Sequence, residues 1–383
     1  MTGPLEGIRI ISMAEQYPGP YCTLLLADMG ADVILVERPQ GGDPARGPAG
    51  ISDFFAALAR NKRSVTVDLK KEAGREVVRR LAADADAFVE GFRPGVARRL
   101  GVGYEDLRRV NPRLVYASIS GFGQTGPYRD RPAHDLSYQA MAGLLYNLIP
   151  GGNFEGRPAV AIGDLSSGMF SALAIVAALT ARQRTGQGQY IDVSMTDGLL
   201  SWMTTALASQ LNRGGWGDPI GGEPAYGVFR CADGRFLTLS IAFEDHFWRN
   251  LCGALGRPDL AGLGGLERRR RRQELAGIIQ DIIATRPRDE WVDLLVRADV
   301  ACGPVSTLEE VAADPHFRER GMFLEWEGPG EHRWLVNHPL KFSETPASVR
   351  RPAPRLGEHT EEVLTEIGYS RQEVARLREE GAV

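Results

Sequence analysis

Three side chains have the type and setting for proton transfer or nucleophilic attack: His134, Asp164 and Glu244. His134 stands beside Asp135 in "RPAHDLSYQAMAGLL" (131–145), where a helical pattern begins. Asp135 is by type a good N-cap, and imidazole is the side chain that titrates near neutrality. A histidine just ahead of a helix is nonetheless most often exposed or structural. Asp164, in "AIGDLSSG", opens a second helical pattern. A cap needs no further explanation, yet a carboxylate in that place also serves as nucleophile or base. Glu244 follows the apolar strand pattern "FLTLSIAF" at the start of a third helix, where the dipole favours a glutamate in any case. Singly, none of the three specifies a reaction.

Two glycine loops, "GFGQTGP" (121–127) and "PIGGEPAYG" (219–227), place backbone amides where a thioester oxygen or a phosphate can be met, and ordinary turn chemistry explains them equally well. Arg38, closing "VILVER", and Arg93, in "EGFRPG", stand at strand C-terminal ends. Open parallel sheets bind ligands there, which makes both arginines candidate phosphate contacts.

The elements that must position these residues alternate. "GIRIISM" (7–13), "DVILVE" (32–37), "KRSVTVDLK" (62–70), "AFVEGF" (87–92), "PRLVYASISGFG" (112–123) and "QGQYIDVSM" (187–195) read as strands. Helical patterns at 18–31, 71–85 and from 164 onward lie between them. A strand, a helix and a strand within about thirty residues imply a parallel pair, and their repetition an α/β doubly wound sheet. No G-x-G-x-x-G turn follows the first strand and no Walker sequence occurs, so a dinucleotide dehydrogenase and a P-loop ATPase are not expected. The Gly/Pro-rich stretch 211–224 has no periodicity and reads as a boundary. Beyond it, "YGVFRCADGRFLTLSI" (226–241) predicts a hairpin that opens a smaller domain. The division expected is 1–200 for a large domain, 201–224 for a linker, 225–320 for the small domain, and 321–383 for a return linker and tail.

At 383 residues two domains are the default, and 43% hydrophobic with 25% charged residues is ordinary for a globular enzyme. The net charge of −4 gives no reason to expect nucleic acid, and "ERRRRRQ" (267–273) reads as a solvated helix face. Four scattered cysteines without metal spacing suit a reduced, cytoplasmic setting. The longest apolar run, "MFSALAIVAALTA" (169–181), is too short to span a bilayer, so no membrane partner is expected.

In order along the chain, "LLADMGADVILVERP", "NKRSVTVDLK", "GFRPGV", "NPRLVYASISGFGQTGPY", "HDLSYQAMAG", "GDLSSGMFSALAIVAAL", "RTGQGQYIDVSM", "ADGRFLTLSI" and "LGEHTEEVL" resemble the family III CoA-transferase superfamily over almost the whole length. Within it the sequence looks most like the α-methylacyl-CoA racemase branch, in which a histidine, an aspartate and a glutamate occupy the places of His134, Asp164 and Glu244. At one position it departs: racemases often carry an asparagine four residues before the aspartate, and Val160 stands there. The resemblance implies an interlocked homodimer. Each chain would have a Rossmann-like large domain, built from the N-terminal half and the tail, and a smaller α+β domain.

The resemblance implies racemisation of 2-methylacyl-CoA thioesters by 1,1-proton transfer through an enolate. His134 and Asp164 would act on opposite faces, with Glu244 holding the His134 tautomer and the Asp164 amide helping the enolate oxygen. CoA is part of the substrate, with Arg38, Arg60, Lys62, Arg63 and Arg93 near its phosphates, and no metal or redox cofactor is required. The alternative is a CoA-transferase in which Asp164 forms an acyl intermediate and His134 is a bystander. A non-catalytic CoA-binding protein is a third reading. An apolar acyl pocket is sought in "GLLSWMTTALASQL" (198–211), where interface packing is the commoner use of such residues.

Overall fold

A computed structural model of the chain describes residues 3–48, 50–149, 158–215, 222–326 and 334–383. Two compact units divide it, Met1–Thr204 with Arg320–Val383, and Thr205–Glu319. The stretch expected to be aperiodic from 211 still belongs to a helix at its start, Thr204–Arg213, and 216–221 lie outside the described residues.

The larger unit is built on six parallel strands: β1 Arg9–Met13, β2 Asp32–Glu37, β3 Lys62–Thr66, β4 Ala87–Glu90, β5 Val115–Ser120 and β6 Tyr190–Ser194, in the order β3-β2-β1-β4-β5-β6. Nearly every residue of the central strands is buried, the pattern of a sheet covered on both faces. Between the strands lie α1 Pro18–Asp28, α2 Asp53–Ala59, α3 Glu72–Ala83, α4 Val96–Arg99 and α5 Tyr104–Val110. After β5 come α6 Asp135–Met141, α7 Leu144–Leu148 and α8 Ile162–Thr185.

On one face, Ile11, Ile34, Val65, Phe88 and Tyr116 pack under Val77 and Leu81 of α3 and Leu107 of α5. Two tail helices, Thr360–Glu366 and Arg371–Glu379, complete that layer through Val363, Leu364, Val374 and Leu377. α1 packs against α8, which presents small residues to it. At Gly168 a Cβ would sit 2.5 Å from the Pro18 carbonyl oxygen, so only glycine fits that crossing. The apolar run expected to stop short of a membrane span is part of this 24-residue helix. By length and composition alone α8 passes for a membrane span, but half of the tested stretch is buried within the protein.

In the smaller unit the expected hairpin forms from Tyr226–Arg230 and Phe236–Ser240, and Cys302–Pro304 pairs antiparallel beside it. Trp248 and Trp291 fill its core, their indole N–H groups donating to the carbonyls of Leu260 and Ile283. The run "ERRRRRQ" is not wholly a solvated face. Arg268 is fully buried beneath the Trp248 ring and bonds Glu223 at 3.0 Å and Asp245 at 2.6 Å, since a buried guanidinium must be paired.

Candidate active site

The chain runs outward from β1 to β3 on one side, then returns to lay β4 on the other side of β1. The loops that leave β1 and β4 therefore diverge, and a crevice is left at the carboxyl ends of these strands. A cavity of about 520 Å³ lies there, lined from β1 (Met13–Pro18), the end of β4 (Gly91–Pro94), the end of β5 (Ile119–Phe122) and Met195 after β6. His134 and Asp164 both line it, so the larger unit brings these two candidates together.

The helix ends are not as expected. His134 is itself the N-cap position of α6, with no side-chain cap bond, and Asp135 is the first helical residue. Asp135 caps the other helix instead: its Oδ1 accepts the Gly163 amide at 2.6 Å and the Asp164 amide at 3.2 Å, at the start of α8. Its Oδ2 accepts the Gln139 side-chain amide at 2.5 Å. Asp164 is the third residue of α8, behind Ala161 and not at the cap. The Asp164 amide is thus already bonded, so an enolate oxygen would have to be met by another donor. Gly163 allows the arrangement, because a Cβ there would meet Asp135 Oδ1 at 2.9 Å.

Burial and then the neighbouring Asp135 charge push the Asp164 carboxyl up to about 7. A group poised there exchanges protons readily near neutrality and is also a better nucleophile, when ionised, than an ordinary aspartate. Tyr17 and Tyr138 flank it. Both phenols are raised, first by burial and then by the Asp164 charge. Ser120 lines the same cavity, and its hydroxyl is buried without a protein hydrogen-bond partner. No sequence signal marked Ser120, since its value comes only from ending β5 at the crevice.

Arg93 is exposed and lines this cavity with Arg129 and Arg131. The last two follow the loop 121–127 and escaped the sequence reading. Arg93 and Arg129 also line a neighbouring hollow of about 280 Å³ floored by Glu90 and Tyr116. Burial pushes the Glu90 carboxyl up to about 7. In the first glycine loop the Gln124 amide is taken by Asp192 at 3.0 Å, and the Gly121 carbonyl accepts from Thr196. The described part of the second loop is anchored by Glu223 on Arg268, and residues 219–221 lie outside the described residues.

Arg38 is exposed, with Nε donating to the Gly42 carbonyl at 2.7 Å. Arg60, Lys62 and Arg63 do not meet the expectation of phosphate contacts. They stand at the start of β3, the end opposite the crevice, and are buried. Arg60 pairs with Asp28 at 2.6 Å, and Lys62 Nζ donates to the Pro20 carbonyl at 2.8 Å. Arg63 is held by Asp32 and Glu366, each at 2.6 Å. Burial pushes the Lys62 ammonium down to about 7.

Glu244 belongs to the smaller unit and caps its helix Asp245–Ala254 without a side-chain bond. Its carboxylate turns back onto its own turn, accepting the Phe243 and Ala242 amides at 3.0 and 3.1 Å. Its own amide first, then those of Phe243 and Ala242, hold it below the usual carboxylate range. The segment 198–211 supplies no residue to either cavity described above.

A Gln16 backbone in the left-handed region (φ 66°) carries the chain past the crevice, and its amide is fixed by Asp43 at 3.0 Å. Asp43 hangs from Glu37, which ends β2 and forms a buried two-pronged pair with Arg46 at 2.6 and 2.7 Å. A strained residue held by buried charge at a crevice is a common mark of function.

Residues 5–360 match the description CoA-transferase family III. The chain belongs to that family. A formyl-CoA:oxalate CoA-transferase of Bradyrhizobium sp. (strain ORS 278) is 36% identical over all of this chain and 98% of its own. The succinyl-CoA:glutarate CoA-transferase of Mus musculus is 34% identical over 95% of this chain and 86% of its own. Among solved structures, a CAIB/BAIF family protein from Brucella suis superposes with a TM-score of 0.84 at 32% identity, over 96% of this chain and all of that one. This family III chain therefore has the two-domain fold of its relatives, a large parallel-sheet domain and a smaller antiparallel one. Among the described residues no group of three or more potential metal-binding side chains occurs.

Proposed function

We propose that the chain is a CoA-transferase that moves CoA from an acyl-CoA to a carboxylic acid through Asp164. The observation that carries this reading is the Asp164 carboxylate, raised to about 7 at the crevice wall of a chain whose full-length relatives are named as CoA-transferases. An Asp164 oxygen attacks the thioester carbonyl, the C–S bond breaks, and CoA leaves as thiolate from a mixed anhydride. The thiolate attacks the aspartyl carbonyl, releasing the donor acid and leaving an aspartyl-CoA thioester. The acceptor carboxylate attacks that thioester and expels CoA thiolate, giving a second mixed anhydride. The thiolate then attacks the acceptor's acyl carbonyl, forming the new acyl-CoA and freeing the Asp164 carboxylate. Arg93, Arg129 and Arg131 give the phosphates of CoA a cationic wall.

A racemase is the second reading, favoured by one observation: His134 shares the cavity with Asp164. It requires Glu244 to be brought to His134, which in an interlocked homodimer would be the partner's. The homodimer is part of the proposal, supported by exposed Met169 and Leu173 on α8 and by exposed Leu200 and Trp202. Cytoplasmic residence is also proposed, in keeping with four unpaired cysteines.

One incubation separates the readings. With a 2-methylacyl-CoA in deuterated buffer, a transferase yields no new thioester until a carboxylic acid is added, and no α-deuterium with or without it. Deuterium entering the α-position without an acceptor would overturn the transferase reading in favour of the racemase.

A further inference from the structure

A second cavity of about 500 Å³ adjoins the crevice within the larger unit, and Tyr17 lines both. Its walls are mostly apolar: Tyr21 and Leu25 of α1, Ala57 of α2, Leu165 of α8, and Trp334 with Val336 from the returning chain. Leu165 follows Asp164 directly, so one turn of α8 presents its carboxylate to the first cavity and its next side chain to the second.

One polar group there has no partner. His338 lines this cavity, is only 3% exposed, and its Nε2 has no hydrogen-bond partner. Its Nδ1 faces the amide and the carbonyl of Leu340 at 3.2 and 3.5 Å. Burial lowers the basicity of the ring, so it adds no positive charge to the wall. The charged residues on the wall are two carboxylates, Asp28 and Asp53, and one guanidinium, Arg60, which Asp28 already pairs. A cavity of this size, apolar and with no surplus positive charge among the described residues, suits an uncharged apolar ligand.

Resting on the transferase reading, we infer that this cavity receives the acyl group of the thioester, and that the preferred substrate is an apolar acyl-CoA, not the CoA ester of a dicarboxylic acid. With the thioester carbonyl at Asp164, the chain passes Tyr17 and Leu165 into the apolar cavity.

Calorimetric titration of the full-length Asp164→Asn protein, which binds without turnover, tests this. The probes are CoA, acetyl-, butanoyl-, hexanoyl-, octanoyl- and succinyl-CoA. Affinity should rise about fourfold per added methylene. Succinyl-CoA should bind more weakly than butanoyl-CoA. Adding Ala57→Trp should flatten the chain-length series and leave the affinity for CoA within about twofold. If CoA binds but the series is flat in the Asp164→Asn protein, or succinyl-CoA binds best, the acyl assignment falls while the transferase reading stands. If CoA itself does not bind, both fall.

Discussion

The carboxylate of Asp135 accepts the backbone amide of Asp164 at 3.2 Å, together with that of Gly163 at 2.6 Å. One acid thereby fixes the helix turn that carries another and raises its proton affinity. The anchor and the reactive group come from different helices, α6 and α8, and Asp164 lines the crevice where β1 and β4 part.

Asp135→Asn keeps an acceptor oxygen and removes the charge. Asp164 should then ionise at lower pH, and the acid limb of the activity profile should move down from near 7, since the Asp135 charge raises that carboxyl. Asp135→Ala also loses the cap and should cost about 1 kcal/mol of stability by chemical denaturation. An unmoved acid limb in Asp135→Asn would mean that burial alone sets the proton affinity.

Asp164 binds its proton more tightly in the folded than in the unfolded chain. Between about 4 and 7 the folded state therefore holds more protons, and stability falls as pH rises through that window. Asp164→Asn should melt higher than the parent at pH 8, by the equivalent of about 1–2 kcal/mol, and the gap should close by pH 4. Equal melting temperatures at both pH values would contradict the burial of this carboxylate.

The basic residues divide into binding and structural sets. Arg93→Ala should raise KM for an acyl-CoA about tenfold at constant stability. Lys62→Met should leave KM unchanged within about twofold, because its ammonium is bonded to the Pro20 carbonyl inside the protein. Steady-state kinetics on the two variants decide the division.

Arg46→Ala leaves the Glu37 carboxylate buried and loses a pair that is 2% exposed on each side. A loss of about 3–5 kcal/mol is expected in urea unfolding. Because Asp43 and the Gln16 amide hang from Glu37, activity should fall even where the variant remains folded.

Much of this fold was legible because its central strands are buried on both faces and read as short apolar runs, such as "DVILVE". The same pattern placed Arg93 at the useful end of a strand. It misplaced Arg60, Lys62 and Arg63, since a basic run beside a strand does not say which end of the sheet it occupies. The cap at Asp164 was misread for a related reason. Its partner, Asp135, lies in a different helix, and spacing within one helix cannot reveal a bond to another. The unpartnered Ser120 hydroxyl and His338 Nε2 were invisible in the sequence, because a missing partner is a property of packing and not of residue type.

The central claim is that Asp164 becomes covalently bonded. The direct measurement is peptide mass spectrometry of the protein incubated with an acyl-CoA and hydroxylamine. The account predicts a hydroxamate on Asp164 that appears only when acyl-CoA is present. An unmodified Asp164 in a protein that turns over the same acyl-CoA would contradict it.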